Sequence, residues 1–159
     1  MSDYKLLSYK DDGAVKAGIE VDGSIFNLAS EVAFHAPDSG IDGSSLDTAI
    51  RRWADLEPIL TKIANSPSTR AHALADADLA APFSNPGTMY CAGANYYDHI
   101  AEMGTVEIDP ERDVPYFFPK TPNSSVIGDK DTIVLPHSEN WSVAQYSDWE
   151  VELAVVIGR

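Results

Sequence analysis

The chain has 159 residues, room for one domain and part of another at ~100–200 residues per domain. Hydrophobic residues make up 44% and charged residues 23%, a globular balance that argues against wholesale disorder. Acidic residues number 25 against 11 Lys plus Arg, a net charge of −14, and no cluster of basic residues offsets it, which argues against nucleic-acid and anionic-membrane surfaces.

No apolar run approaches the ~20 residues of a membrane span, and the polar start Met1-Ser2-Asp3-Tyr4-Lys5 lacks a signal-peptide core. The single cysteine, Cys91, excludes an internal disulfide and a multi-cysteine zinc site. It reads as a small buried residue, and the expected compartment is the reducing cytoplasm.

In chain order, Tyr4 to Tyr9 is a predicted strand, closed by Lys10-Asp11-Asp12-Gly13. Ala14 to Val21 alternates, with Val15, Ala17, Ile19 and Val21 on one face. Asp22-Gly23 suits a two-residue hairpin turn, and Ser24 to Leu28 returns as the third strand of an antiparallel meander. Residues 30–44 are rich in Gly, Ser, Asp and Pro and read mostly as loop. Ser44 and Asp47 have the spacing of a helix-capping box. Leu46, Ile50, Trp53, Leu56, Leu60 and Ile63 then follow helical spacing, with a kink or break expected at Pro58. The Ala- and Asp-rich residues 71–82 read as a linker, so the expected domains are 1–83 and 84–159.

Thr88 to Ala92 is a predicted short strand. Asn95 or Asp98 is positioned to cap a helix that runs to Met103 and ends at Gly104. Residues 104–115 are an acidic loop, Tyr116-Phe117-Phe118 and Thr132 to Leu135 are short strands, and Asp148 to Ile157 is the strongest strand signal. The fold class expected is α+β.

On that last strand Trp149, Val151, Leu153, Val155 and Ile157 share a face expected to be core, while Glu150 and Glu152 share the other. Two carboxylates this close repel, and burial worsens the conflict. A divalent cation such as Mg²⁺, Mn²⁺ or Ca²⁺ relieves it. The plainer reading is a strand with one solvated face. His99 and Glu102, three apart on a helix, can form a base pair in which the carboxylate orients the imidazole, or simply a surface ion pair. Lys120 is a candidate for holding an anionic substrate oxygen, or an ordinary exposed lysine. His35, His72 and His137 lack ligand spacing and read as surface or turn residues. No glycine-rich phosphate loop and no Gly-x-Ser-x-Gly is present, so nucleotide binding and serine-hydrolase chemistry lack support.

Taken together these segments resemble the fumarylacetoacetate hydrolase family. Met89 to His99 is similar to its strand leading into Gly-x-Asn-Tyr-x-x-His. Tyr116 to Lys120 looks like its Phe-Phe-x-Lys segment, and Asp148 to Gly158 like its Asp-Tyr-Glu-x-Glu-Leu-x-x-Val-x-Gly strand, with Trp149 at the aromatic position. The meander of residues 4–28 looks, less closely, like the family's variable N-terminal region.

The resemblance implies a catalytic domain built as a mixed β-sandwich roll, of which residues 84–159 would be the first part, and a homodimer. It implies Mg²⁺ or Mn²⁺ held by three carboxylates, with Glu150 and Glu152 matching the first two and the third on a later strand. It assigns His99 and Glu102 to a base dyad on a lid and sets Lys120 beside the substrate carboxylate. Substrates would be 2-oxo acids or β-dicarbonyl compounds. Acylpyruvate C–C hydrolysis is the first expectation, with hydration, isomerisation and decarboxylation as alternatives. By itself this chain is expected to bind metal weakly and to show no turnover. The competing reading is a non-catalytic remnant or interaction module. Tyr96, Tyr97 and Phe117 could line a pocket or fill the core, and Trp149 is expected in the core.

Overall fold

In the computed structural model the described residues are 3–68, 71–104, 109, 111–135 and 149–158. They fall into two compact units, Met1–Pro82 with Ile127–Arg159, and Phe83–Val126.

The first unit starts with the expected meander: β1 (Lys5–Asp11), β2 (Ala14–Val21) and β3 (Ser24–Asn27). Both hairpins turn on Asp-Gly pairs, Asp12-Gly13 and Asp22-Gly23, and all four residues have positive φ. A right-handed twist between the strands favours that turn, and glycine and aspartate tolerate it. The chain continues through α1 (Leu28–His35), α2 (Leu46–Ala49), a 3₁₀ turn (Ile50–Arg52) and α3 (Trp53–Asn65). It returns to the sheet as β4 (His72–Ala73) and β5 (Asp78–Ala80). The sheet order is β4-β3-β2-β1-β5, antiparallel throughout. The register places Ile19 opposite Leu6 on one side and Phe26 on the other.

The helices cover this sheet. α1 and α3 touch each other and β2, and α2 touches β1. Ala17, Ile19, Ile25, Leu28, Leu46, Leu56, Leu60 and Ile63 are buried at their shared core. Among the described residues no helix is long and apolar enough to cross a membrane.

Several expectations are corrected in this unit. Of residues 30–44, those from 36 to 44 are loop as expected, but 30–35 belong to a helix, α1, where a strand reaching Leu28 and then loop were expected. The Asn27 side chain accepts the Ser30 N–H and starts the helix, and Leu28 and Val32 anchor it. The cap of α2 is Ser45, which accepts from Thr48 N–H, and not Ser44. α3 runs through Pro58 without a break. Pro58 and Ala54, the residue whose carbonyl loses its helical donor, are both exposed, so water can take that bond. Trp53 is 43% exposed and Ile59 is buried in its stead. Residues 71–82 are more than a linker, since β4 and β5 pair with the two edges of the meander.

His35 is not an ordinary surface residue. Its Nε2 lies 3.5 Å from Oε2 of Glu31, which is 1% exposed. That contact has ion-pair reach without hydrogen-bond geometry. The same Glu31 oxygen accepts the Ser68 N–H at 3.1 Å and so ties the segment after α3 back to α1.

The second unit holds β6 (Met89–Ala92), α4 (Tyr97–Met103), β7 (Phe117–Lys120) and α5 (Pro122–Ser125). β6 and β7 form a two-stranded antiparallel sheet. The fold is thus α+β with antiparallel sheets. Cys91 is half-buried.

Two predicted strands are not found among the described residues: residues 132–135 and 149–158 carry no strand conformation and belong to neither of the two sheets. Trp149, expected in the core, is 81% exposed, and Val151, Leu153, Val155 and Ile157 are exposed with it. Alternation states which side chains a strand would bury, whereas a strand exists only by pairing with a neighbour. Asp148, His137 and residues 105–108 lie outside the described residues.

Two predictions follow from the packing. Leu60 is fully buried, so Leu60→Ala should cost ~2–5 kcal/mol, read from denaturant midpoints at unchanged m-value. A loss well under 1 kcal/mol would contradict the packing of α3. The second concerns Glu20, which is buried in β2. It accepts the Gly23 N–H at 2.6 Å and pairs with Lys5 at 3.1 Å, and these contacts, the backbone bond first, hold its carboxyl below the ordinary range. The stability it contributes is complete above the unfolded-state pKa and is lost as pH falls through the lower folded value. Glu20→Gln should therefore destabilise at neutral pH, with the gap to the parent closing in acid. A gap that stays constant on acidification would show that the charge is not responsible.

Candidate functional site

β6 and β7 set the base of the second unit. Their register pairs Met89 with Lys120, Tyr90 with Pro119, Cys91 with Phe118 and Ala92 with Phe117. Lys120 and Phe118 are two apart on one strand and share a face. Lys120 Nζ lies 6.0 Å from the Phe118 ring centroid, at the outer reach of a cation–π contact. Lys120 itself is exposed.

After β6 the chain turns sharply. Ala94 has φ +50°, a left-handed conformation unusual for alanine, and α4 begins three residues later. The expected caps Asn95 and Asp98 are not at the cap position. Tyr96 is, and its side chain makes no capping bond. Asp98 instead accepts the N–H of His99 at 3.0 Å from within the first turn. The far end of α4 is as expected: Gly104 has φ +63°, and its N–H donates to Ile100 carbonyl at 3.2 Å.

His99 and Glu102 face each other on α4. Nδ1 of His99 lies 4.0 Å from Oε2 of Glu102. That is ion-pair reach, longer than a hydrogen bond. The His99 side chain is 38% exposed and that of Glu102 85%. A pair this open contributes little to stability. The two imidazole nitrogens are distinct, and a proton on Nδ1, the nitrogen nearer Glu102, leaves Nε2 as the acceptor. Tyr97 and Phe117 are exposed rather than in a core, and Tyr96 is at the margin of exposure.

Glu150 and Glu152 belong to the first unit, in the segment 149–158, and both are exposed. His99, Glu102 and Lys120 belong to the second. The carboxylate oxygens of Glu150 and Glu152 are the hard donors that Mg²⁺ or Mn²⁺ takes. Among the described residues no group of three or more His, Cys, Asp or Glu side chains is arranged to hold a metal ion. The two glutamates have the donor chemistry that such a cation takes, but by themselves they are fewer than the ligands it needs.

One feature of this unit has no signal in local sequence patterns. The Tyr116 ring lies over Gly93, and the Gly93 N–H donates to Tyr116 carbonyl at 3.1 Å. Gly93 invites the search for a close neighbour, but only the β6–β7 register identifies it.

Comparison with known proteins bears on the same segment. The profile of the family described as fumarylacetoacetate (FAA) hydrolase C-terminal matches residues 88–159. A mitochondrial oxaloacetate tautomerase of Homo sapiens is 42% identical over 79 residues, 50% of this chain and 22% of that protein. A mitochondrial oxaloacetate tautomerase of Xenopus laevis is 32% identical over 118 residues, 72% of this chain and 34% of its own length. A protein of Burkholderia ambifaria named as a hydrolase is 33% identical over 155 residues, 97% of this chain and 46% of its own. The chain thus spans less than half the length of these relatives. Through the strand, elbow and helix that carry His99, and through the segment that carries Glu150 and Glu152, this chain belongs to the fumarylacetoacetate hydrolase family.

Proposed function

We propose that the protein is an enzyme acting on 2-oxo acids or β-dicarbonyl compounds, and that its reaction is proton transfer between keto and enol forms. The observation that carries this reading is the His99–Glu102 pair on α4, inside the segment that matches the family. Relatives named as oxaloacetate tautomerases support the choice of a dicarboxylic 2-oxo acid.

In this reading Nε2 of His99 removes a proton from the carbon beside the keto group. The same nitrogen, now protonated, returns a proton to the keto oxygen, so the two steps balance without a further reactant. Glu102 faces Nδ1 and favours the imidazolium formed between those steps, which is the role of a positioning carboxylate. The 4.0 Å separation would shorten, or be bridged by water, when substrate is bound. Lys120 offers three N–H donors to a substrate carboxylate. Glu150 and Glu152 would hold Mg²⁺ or Mn²⁺. Such an ion, when bound, supplies Lewis-acid stabilisation of negative charge on the keto oxygen.

Acylpyruvate C–C hydrolysis is the second reading, favoured by the hydrolase-named relative that matches 97% of this chain. There the same His99 nitrogen would take its proton from water rather than from carbon. Tautomerisation asks less of the residues present, because it needs no positioned water.

The test uses protein purified from its native source, oxaloacetate as substrate, and Mg²⁺ or Mn²⁺ in the buffer, with enol decay followed by absorbance. His99→Ala should lower turnover about 10²–10⁴-fold, the usual worth of a general base. Mn²⁺ affinity, read by titration, should stay nearly unchanged. Equal losses of turnover and metal affinity would remove His99 from the role of base. Conversion of an acylpyruvate with no effect on oxaloacetate would replace the first reading by the second.

A further inference from the structure

We propose that Tyr116 is a positioning residue for the proposed base: its ring, seated on Gly93, holds the elbow that carries the chain from β6 into α4 and so sets the place of His99. This rests on the reading of His99 given above, but the contact itself does not.

The first observation is steric. A Cβ built on Gly93 would fall inside the van der Waals radii of Cζ, Oη and Cε2 of Tyr116. The ring can occupy that place only because residue 93 has no side chain. The second is the backbone. Ala92 pairs with Phe117, and the Gly93 N–H to Tyr116 carbonyl bond extends the ladder by one step. The ring therefore sits over the last paired residue before the chain departs.

The third observation is strain at the point of departure. Ala94 follows directly and has φ +50°. A left-handed alanine is costly and persists only where its surroundings over-determine it. Downstream, α4 has no side-chain cap at Tyr96 to fix its entry. The elbow thus has a fixed upstream side, at Gly93, and an uncapped downstream side, at the helix. His99 lies in the first turn of that helix.

The ring is held without burial. Tyr116 keeps 61% of its surface exposed, so an alanine methyl at residue 93 would push the ring into solvent without opening a core. Gly93→Ala should therefore fold and lose only the ring's seat. That makes it a probe of the contact separate from removal of Tyr116.

The test is NMR on the whole chain at fixed pH. It reads the His99 Cε1–H signal and amide exchange across α4, with β6 and β7 amides as the folding control. Tyr116→Ala and Gly93→Ala should both move the His99 signal. Each should speed α4 exchange roughly 5–30-fold, the change expected when a contact holding a strained residue is lost. Tyr116→Phe keeps the ring and should leave both readouts near the parent. If Tyr116→Ala also releases β6 and β7, Gly93→Ala decides. An unmoved His99 signal in Gly93→Ala, or a Tyr116→Phe as disturbed as Tyr116→Ala, would overturn the proposal. Neither readout needs turnover. A protein inactive on oxaloacetate whose His99 still responds would therefore leave the positioning role standing while the proposed function fell.

Discussion

The first unit depends on the burial of β2. From Ala17 to Val21 this strand is covered, with β1 and β3 at its sides and helices against it. A central strand has every backbone group committed to a neighbour, so its position fixes both adjacent strands. The two Asp-Gly turns then leave little freedom in register, because a slip of one residue would turn Ile19 and Phe26 to the wrong face. Glu20 shows how firmly the strand is held. A carboxylate on it is tolerated because Gly23 and Lys5 both satisfy it.

The second unit has a different economy. α4 is short, and no residue of it, of β6 or of β7 is buried. Its order comes from local devices: the Asp98 to His99 turn, the left-handed Gly104, and the ladder bond at Gly93. Such elements open more easily than a packed core. For the proposed chemistry that is a reason to look for residues that restrict His99 from outside its own helix. The charge of −14 adds a second demand. An anionic substrate is repelled at long range, so binding must come from cations close to it.

Features that depend on a few adjacent residues were legible in the sequence. Asp22-Gly23 announces its hairpin, Leu56, Leu60 and Ile63 announce α3, and Gly104 announces the end of α4. The three-residue spacing of His99 and Glu102 placed them on one face of a helix, where the structure finds them. Features that depend on a distant partner were not legible. β4 and β5 are too short to show a period, and only their pairing with β3 and β1 makes them strands. α1 was hidden because the Pro37 and Gly40 beyond it read as loop, while its core anchors are just Leu28 and Val32 among its apolar residues. Residues 149–158 show the converse error, a strong alternating pattern in a segment that joins neither sheet of the described residues. Tyr116 and Gly93 meet through strand register, which no local window contains.

The two outermost strands of the first sheet are two and three residues long. A sheet edge is a template on which another chain can grow, and its reach is set by the run of open N–H and carbonyl groups. With β4 beside β3 and β5 beside β1, the longer strands of the meander are partly screened by pieces too short to recruit a partner stably. The same brevity that made these strands invisible in the sequence thus gives the protein resistance to self-association along that sheet.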